Sequence, residues 1–110
     1  MIEEIIIRYL SKNGFQCFME VPRNIEGDYI IVEKTNSSNS NFINHATLAI
    51  QSYSTSLYKA SCLNEKVKEA IENMIELDEI SKVKLNTDYN FTDTTKKQYR
   101  YQAVYEITYY

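Results

Sequence analysis

Apolar side chains recur along the first residues of the chain with the period of an α-helix. Apolar residues recur at spacings of three and four, and charged residues occupy most of the positions between them. The apolar positions are Ile2, Ile5, Ile6, Tyr9 and Leu10. This pattern predicts an amphipathic helix over residues 2–13, which Gly14 would end.

A second, longer helical pattern follows a group of serines. Its apolar stripe is the clearest periodic signal in the chain and predicts a helix from about Ser56 to Ile75 that packs on a sheet. The stripe consists of Leu57, Ala60, Leu63, Val67, Ala70, Ile71 and Met74. The serine side chains at positions 52, 54 and 56 are each suited to cap the start of this helix.

Three segments before this helix have the pattern of β-strands. Residues 15–21 alternate between apolar and polar side chains until Pro22, which ends the strand. Residues 29–34 are mostly apolar and include the β-branched Ile30, Ile31 and Val32, which indicates a strand with cover on both faces. Residues 46–50 alternate again.

After Asp78 the period changes from helical to two. One run places Val83, Leu85, Thr87, Tyr89 and Phe91 on a single face. The last run alternates Tyr99, Tyr101, Ala103, Tyr105, Ile107 and Tyr109 to the C-terminus. A polar turn over residues 92–95 separates the two runs, and together they predict an antiparallel hairpin.

Asn and Ser dominate the segment from Thr35 to Asn44, which has no hydrophobic period. This composition predicts a flexible surface loop that joins two neighbouring strands and becomes ordered against a partner. Within it, Asn36, Ser38, Asn41 and Phe42 are candidate contacts with a partner.

The order of elements predicts a single α+β domain. At 110 residues the chain is too short for two independent cores. We expect an antiparallel or mixed β-sheet of four to five strands with two α-helices packed on one face.

The composition and charge of the chain argue against several classes of function. The net charge of −3 argues against a dedicated nucleic-acid binder. The acidic N-terminus does not have the pattern of a secretory signal, and no apolar run is long enough to span a bilayer, so we expect a cytoplasmic protein without membrane contact. Cys17 and Cys62 fit a reducing compartment and are expected to be buried.

Candidate chemistry is sparse. His45 is the only histidine, and with Cys17 and Cys62 it lacks the spacing of a metal site. Gly14 and Gly27 lie too far apart to form a phosphate-binding loop. A Ser-His-acid triad is formally possible, but its geometry is not visible in a sequence. We therefore expect no catalysis, no metal and no cofactor.

Ten tyrosines and no tryptophan make up the one anomaly of composition. The ladder of Tyr99, Tyr101, Tyr105 and Tyr109 is expected to form core or a subunit interface. Alternatively it stacks nucleobases while nearby basic residues hold phosphate. Those basic residues are Lys82, Lys84, Lys96, Lys97 and Arg100.

Three phrases resemble the tail terminator, or tail-to-head joining, proteins of siphoviruses and related prophages of Gram-positive bacteria. They read MEVPRNIEGDYIIVEKT, HATLAIQSYSTSLYKASCLNEKVKEAI and KLNTDYNFTDTTKKQYRYQAVYEITYY, and cover most of the chain in order. Where such proteins often carry glycines after the second strand, this chain has residues 36–41 without glycine.

The resemblance implies a non-enzymatic α/β subunit that forms a ring, commonly a hexamer, at the head-proximal end of the tail. Its partners would be further copies of itself, the tail tube protein and the head connector protein, with phage DNA passing through the channel. It would reside in the host cytoplasm during assembly and then in the virion. The alternatives are another connector component, such as a head-closure or minor head protein, and a small single-stranded nucleic-acid-binding module.

Overall fold

The first helix forms where the sequence predicts it. The computed structural model describes all 110 residues, and helix α1 spans Ile2–Lys12. Its apolar side chains Ile2, Ile6 and Leu10 are fully buried. The helix ends because Gly14 adopts the left-handed conformation (φ +90°), which lets the N–H of the next residue bond back to the Leu10 carbonyl at 3.1 Å.

Helix α2 spans Leu57–Asn73 and continues into a 3₁₀ turn over Met74–Glu76. Ser56 caps it, since its hydroxyl oxygen accepts a hydrogen bond from the Lys59 N–H at 3.1 Å. Most of the apolar stripe is buried as predicted, at Ala60, Leu63, Val67, Ile71 and Met74, whereas Leu57 is exposed. Neither α1 nor α2 is long and apolar enough to cross a lipid bilayer.

The sheet has five strands in the order β1-β2-β3-β5-β4. The strands are β1 (Cys17–Phe18), β2 (Tyr29–Ser40), β3 (Ile43–Ser54), β4 (Ile80–Asn90) and β5 (Tyr99–Tyr109). β1 runs parallel to β2 and every other pair is antiparallel, so the sheet is mixed and the α+β prediction is confirmed. The first predicted strand is much shorter than expected, because only two of residues 15–21 pair with β2.

Both helices pack on the same face of this sheet. One continuous core joins buried residues of α1 and α2 to one side of the strands, including Val32, Ile50 and Ala103, which the register places side by side. The opposite side has no helix over it and is called the helix-free face below. Cys17 lies in the core as expected, and its burial raises the pKa of the thiol to about 12, whereas Cys62 is only half-buried.

The prediction of a flexible loop from Thr35 to Asn44 is wrong. β2 continues to Ser40 and β3 begins at Ile43, so only two residues connect them. The ladder extends to the end of the hairpin, where Ser40 pairs with Ile43, and has one irregularity after Lys34. Backbone hydrogen bonds form this ladder without help from apolar side chains, which explains why a hydrophobic period is missing.

The predicted face of β4 is correct only for its first half. The register shifts between Leu85 and Thr87, and this β-bulge reverses the side-chain alternation. As a result Asp88 joins the helix-covered face opposite Ala103, while Tyr89 lies on the helix-free face opposite Gln102. The predicted turn at residues 92–95 lies within the connection to β5, which an isolated bridge between residues 93 and 98 closes.

Candidate assembly surfaces

The tip of the β2–β3 hairpin presents an exposed aromatic ring on a strained backbone. Asn41 and Phe42 both have positive φ angles, +52° and +66°, as a two-residue type I′ turn requires. The second position of such a turn is usually glycine, because a side chain there is unfavourable. Phe42 is nevertheless 94% exposed, so neither packing nor backbone preference accounts for it in the isolated chain.

The four candidate contact residues from the Asn/Ser segment come together on the outer half of this hairpin. Asn36, Ser38, Asn41 and Phe42 are all exposed. The tip is held in place by its own side chains as well as by the ladder, since the Asn39 amide donates to the Asn44 side-chain oxygen at 2.8 Å. The hairpin is therefore a preformed projection.

The tyrosine ladder of β5 does not form one open surface. Tyr99, Tyr101 and Tyr109 are half-buried, whereas Tyr105 is fully buried between the sheet and α2. The Tyr105 hydroxyl donates to the Lys68 carbonyl at 3.4 Å, and burial raises the pKa of the phenol. Tyr105 is thus a core residue, which is one of the two placements expected for the ladder, because α2 covers it.

The helix-free face carries a group of aromatic rings around one guanidinium, which we call the aromatic–arginine cluster: Tyr29, Tyr53, Phe91 and Arg100. The rings of Tyr29 and Tyr53 stack with centroids 4.6 Å apart and planes 10° from parallel. The Arg100 guanidinium lies 5.5 Å from the Tyr53 ring and 4.6 Å from the Phe91 ring. Such cation–π contacts are typical of arginine.

Hydrogen bonds fix this guanidinium and limit its motion. Arg100 donates from Nη1 to the Tyr53 hydroxyl at 2.8 Å and from Nε to the Phe91 carbonyl at 2.7 Å. Burial raises the pKa of the Tyr29 phenol, as does the Tyr53 hydroxyl, while the charge of Arg100 acts to lower it. The cluster is therefore ordered before any partner binds.

An amide network continues the cluster across three strands. The Gln51 amide donates to the Gln102 side-chain oxygen at 2.8 Å, and the Tyr53 hydroxyl donates to the Gln51 side-chain oxygen at 3.2 Å. The Gln102 amide in turn donates to the Tyr89 hydroxyl. The sequence predicted Tyr89 on the same face as Val83 and Leu85, and only the strand register with its bulge brings it to these amides.

Towards the hairpin tip, the helix-free face becomes a polar cleft of about 620 Å³. Its walls include Ser38, His45, Lys82 and Glu106. His45 is exposed within β3, and its Nδ1 lies 3.2 Å from the Thr108 hydroxyl. No group of three or more His, Cys, Asp or Glu side chains is arranged to hold a metal ion.

On the helix-covered side, the bulge of β4 brings Asp88 to α2. Its carboxylate accepts from the Lys68 ammonium at 2.9 Å and from the Asn64 amide at 2.8 Å. Lys68 also pairs with Glu65 at 3.0 Å. The hydrogen bond to Lys68 lowers the pKa of Asp88, and the same bond raises the pKa of Lys68. This bridge connects α2 to β4.

No family model and no curated protein matches the chain.

Proposed function

We propose that this chain is a structural subunit of a long-tailed phage, a tail terminator that forms a ring, a hexamer by the resemblance, on the head-proximal end of the tail tube. The observation that carries the proposal is the presence of two unlike surfaces suited to association on one small domain. One is the hairpin tip with Phe42, and the other is the aromatic–arginine cluster on the helix-free face, where Phe91 is exposed, Tyr29 and Arg100 are half-buried and Tyr53 is buried.

Two unlike surfaces are what a ring of identical subunits requires. In a ring, one patch of each copy meets a different patch of its neighbour, and the rotation repeats until it closes. The composition of the cluster supports a role in contact, since tyrosine, phenylalanine and arginine are enriched at protein interfaces and at their energetically dominant positions. Its order before binding reduces the conformational entropy lost on association.

The remaining partners follow from the position of such a ring. Its two flat sides would contact the tail tube protein and the head connector protein, and phage DNA would pass through the centre. A net charge of −3 suits a channel through which DNA slides without being held. In this role the protein assembles in the host cytoplasm, enters the virion, and needs no catalysis, metal or cofactor.

The nucleic-acid-binding alternative has less support. It relied on the tyrosine ladder as a stacking platform, and Tyr105 in the middle of that ladder is fully buried. Arg100, one of the proposed phosphate ligands, already donates to Tyr53 and Phe91.

The direct test combines oligomer mass with function in assembly. Native mass spectrometry and negative-stain microscopy over a range of concentrations, with and without isolated tail tubes, should show rings of a single subunit number. The gene should restore infectious particles to a phage that lacks its terminator. A chain that stays monomeric, leaves tubes uncapped and fails to complement would refute the proposal.

Variants of the cluster connect this test to the structure. Arg100→Ala should reduce ring formation and titre, because the guanidinium organises Tyr53 and Phe91. Lys84→Ala is the matched control, since Lys84 is an exposed basic residue on the same sheet without a described contact. Thermal melts of both variants separate lost association from lost folding.

A further inference from the structure

We propose that Phe42 is the side chain with which one copy of this chain binds the next. It would enter a cleft at the opposite end of the neighbouring copy, lined by Phe15, Tyr29, Ile30, Leu63 and Lys66. This cleft adjoins the aromatic–arginine cluster, because Tyr29 lines the cleft and also stacks on Tyr53 of the cluster. This inference rests on the proposed function in one respect, because it names the contact between ring subunits. It identifies the partner as a second copy of the chain.

Phe42 is unusual both in its exposure and in its backbone conformation. It is the most exposed of the large apolar side chains, at 94%, and its left-handed backbone disfavours any residue other than glycine or asparagine. Two unfavourable features at one residue are explained if the ring is buried in the assembled state. The turn then serves to hold the ring at the far end of a rigid hairpin.

The receiving cleft is large enough for a phenyl ring. It has a volume of about 280 Å³ and apolar walls from Phe15, Ile30 and Leu63. A cavity of about 150 Å³ is sufficient to hold a benzene molecule, so the cleft has room for a phenyl ring and its linkage. Gly14 adds open space at its mouth, since a Cβ atom placed there would meet no atom within 4 Å.

The hairpin tip and the cleft lie far apart on the molecule. Tyr29, at the start of β2, lines the cleft, and Ser40, at the end of β2, precedes the tip. Eleven strand steps separate the two, or about 36 Å at 3.3 Å per residue, in a molecule 44 Å long. Tip and cleft therefore lie at opposite ends, so their contact joins copies head to tail and generates a closed ring or a filament.

The distribution of charge along the chain favours a second copy of the chain as the occupant of the cleft. Residues 35–58 contain no Asp, Glu, Lys or Arg, although 25% of the chain is charged. Copies of net charge −3 repel one another, and an uncharged tip avoids adding to that repulsion at the contact. The cleft is bordered by charges of both signs, Asp28 and Lys66, for which the tip amides provide both donors and acceptors.

The test is disulfide cross-linking between copies. In a Cys62→Ser background, Ser40→Cys places a thiol beside the intact Phe42, and Lys66→Cys places one at the cleft. Under mild oxidation, an equimolar mixture of these two single variants should give covalent dimers that contain one of each. The double variant should give a ladder of oligomers, both in concentrated solution and on tail tubes. Ser40→Cys with Lys84→Cys is the control pair and should give no ladder.

Removal of the ring identifies its contribution. Phe42→Ala, added to the cross-linking pair, should weaken association about tenfold or more, since a buried phenyl ring contributes at least that much. Rings that form without this cross-link, or dimers joined through two Ser40→Cys thiols, would overturn the inference and leave the proposed function intact. Absence of rings under every condition would overturn both. An unchanged ladder in the Phe42→Ala protein would also overturn the inference, because the tip would then contact its neighbour through other residues.

Discussion

The bridge between Asp88 and helix α2 gives a quantitative test of the structure. Asp88→Asn removes the carboxylate that accepts from Lys68 at 2.9 Å and from Asn64 at 2.8 Å. Hydrogen bonds to charged groups contribute about 1.5–3 kcal/mol, whereas exposed ion pairs contribute about 0–1 kcal/mol. The side chains of Lys68 and Asp88 are 17% and 27% exposed, and Lys68 retains Glu65 as a partner, which places this bridge between the two limits.

We therefore expect Asp88→Asn to lower the free energy of unfolding by about 1–2 kcal/mol at neutral pH. Urea denaturation followed by circular dichroism measures this difference, and the double-mutant cycle with Lys68→Met isolates the part that the pair contributes. Asp78→Asn is the matched control, because Asp78 is exposed and lies outside the bridge.

The pH dependence of the same difference follows from the pKa shifts. The pKa of Asp88 is lowered in the folded state, so its stabilising contribution is present above the unfolded value of about 3.9 and is lost as the pH falls through the folded value. The pKa of Lys68 is raised, so its contribution is present below the ordinary value of 10.5 and is lost as the pH rises through the folded value. The difference between wild type and Asp88→Asn should be constant from about pH 5 to 9 and shrink in acid.

Equal stabilities for Asp88→Asn and Asp78→Asn, with the same pH profile, would refute this reasoning. Asp88 reaches α2 only because the β-bulge after Leu85 reverses the alternation of β4. Such a result would therefore mean that the bulge is absent and that Asp88 lies in solvent.

Four further predictions follow from single positions. Val67→Asp should prevent soluble folding, because it forces a charge into a site with no exposure; a stable, soluble variant would contradict the placement of α2. Phe42→Gly should raise the free energy of unfolding by about 1 kcal/mol while it weakens assembly, since it removes both the strain and the ring; a melt and native mass spectrometry measure the two. His45→Ala should change stability by about 0.5 kcal/mol or less and leave the phage titre near normal in a complementation assay, whereas lost infectivity in a folded, assembled variant would indicate chemistry at this residue. A thiol reagent at pH 8 should modify Cys62 quickly and Cys17 only after denaturation, because Cys17 is buried and its thiol pKa is about 12.

Long periodic segments were predictable from the sequence because burial determines them. The stripe of α2 repeats over several turns, and Leu63, Val67, Ile71 and Met74 lie in the core as expected, whereas Leu57 at its start is exposed. The two C-terminal runs also form the predicted hairpin of β4 and β5. For α2, for β5 and for β4 as far as Leu85, the apolar side chains alone identify the face that packs.

Features that depend on backbone pairing were not predictable in the same way. Residues 35–40 form a strand although both of their faces are exposed, because β3 supplies hydrogen-bond partners whatever the side chains are. The bulge in β4 depends on one extra residue that no pattern of polarity indicates. The aromatic–arginine cluster needs the register of β3 against β5, which brings Tyr53 opposite Arg100.

The order of the hairpin has a thermodynamic consequence for assembly. A disordered loop of ten residues would lose about 1–2 kcal/mol of conformational freedom per residue when it became ordered against a neighbour. In this chain that loss occurs during folding, so a contact at Phe42 is opposed mainly by the loss of rigid-body motion. Because β3 is paired on both sides from Asn44 to Tyr53, one continuous hydrogen-bonded strand also joins the tip to Tyr53. We therefore expect a force on the tip to be carried along this strand to the opposite end of the subunit.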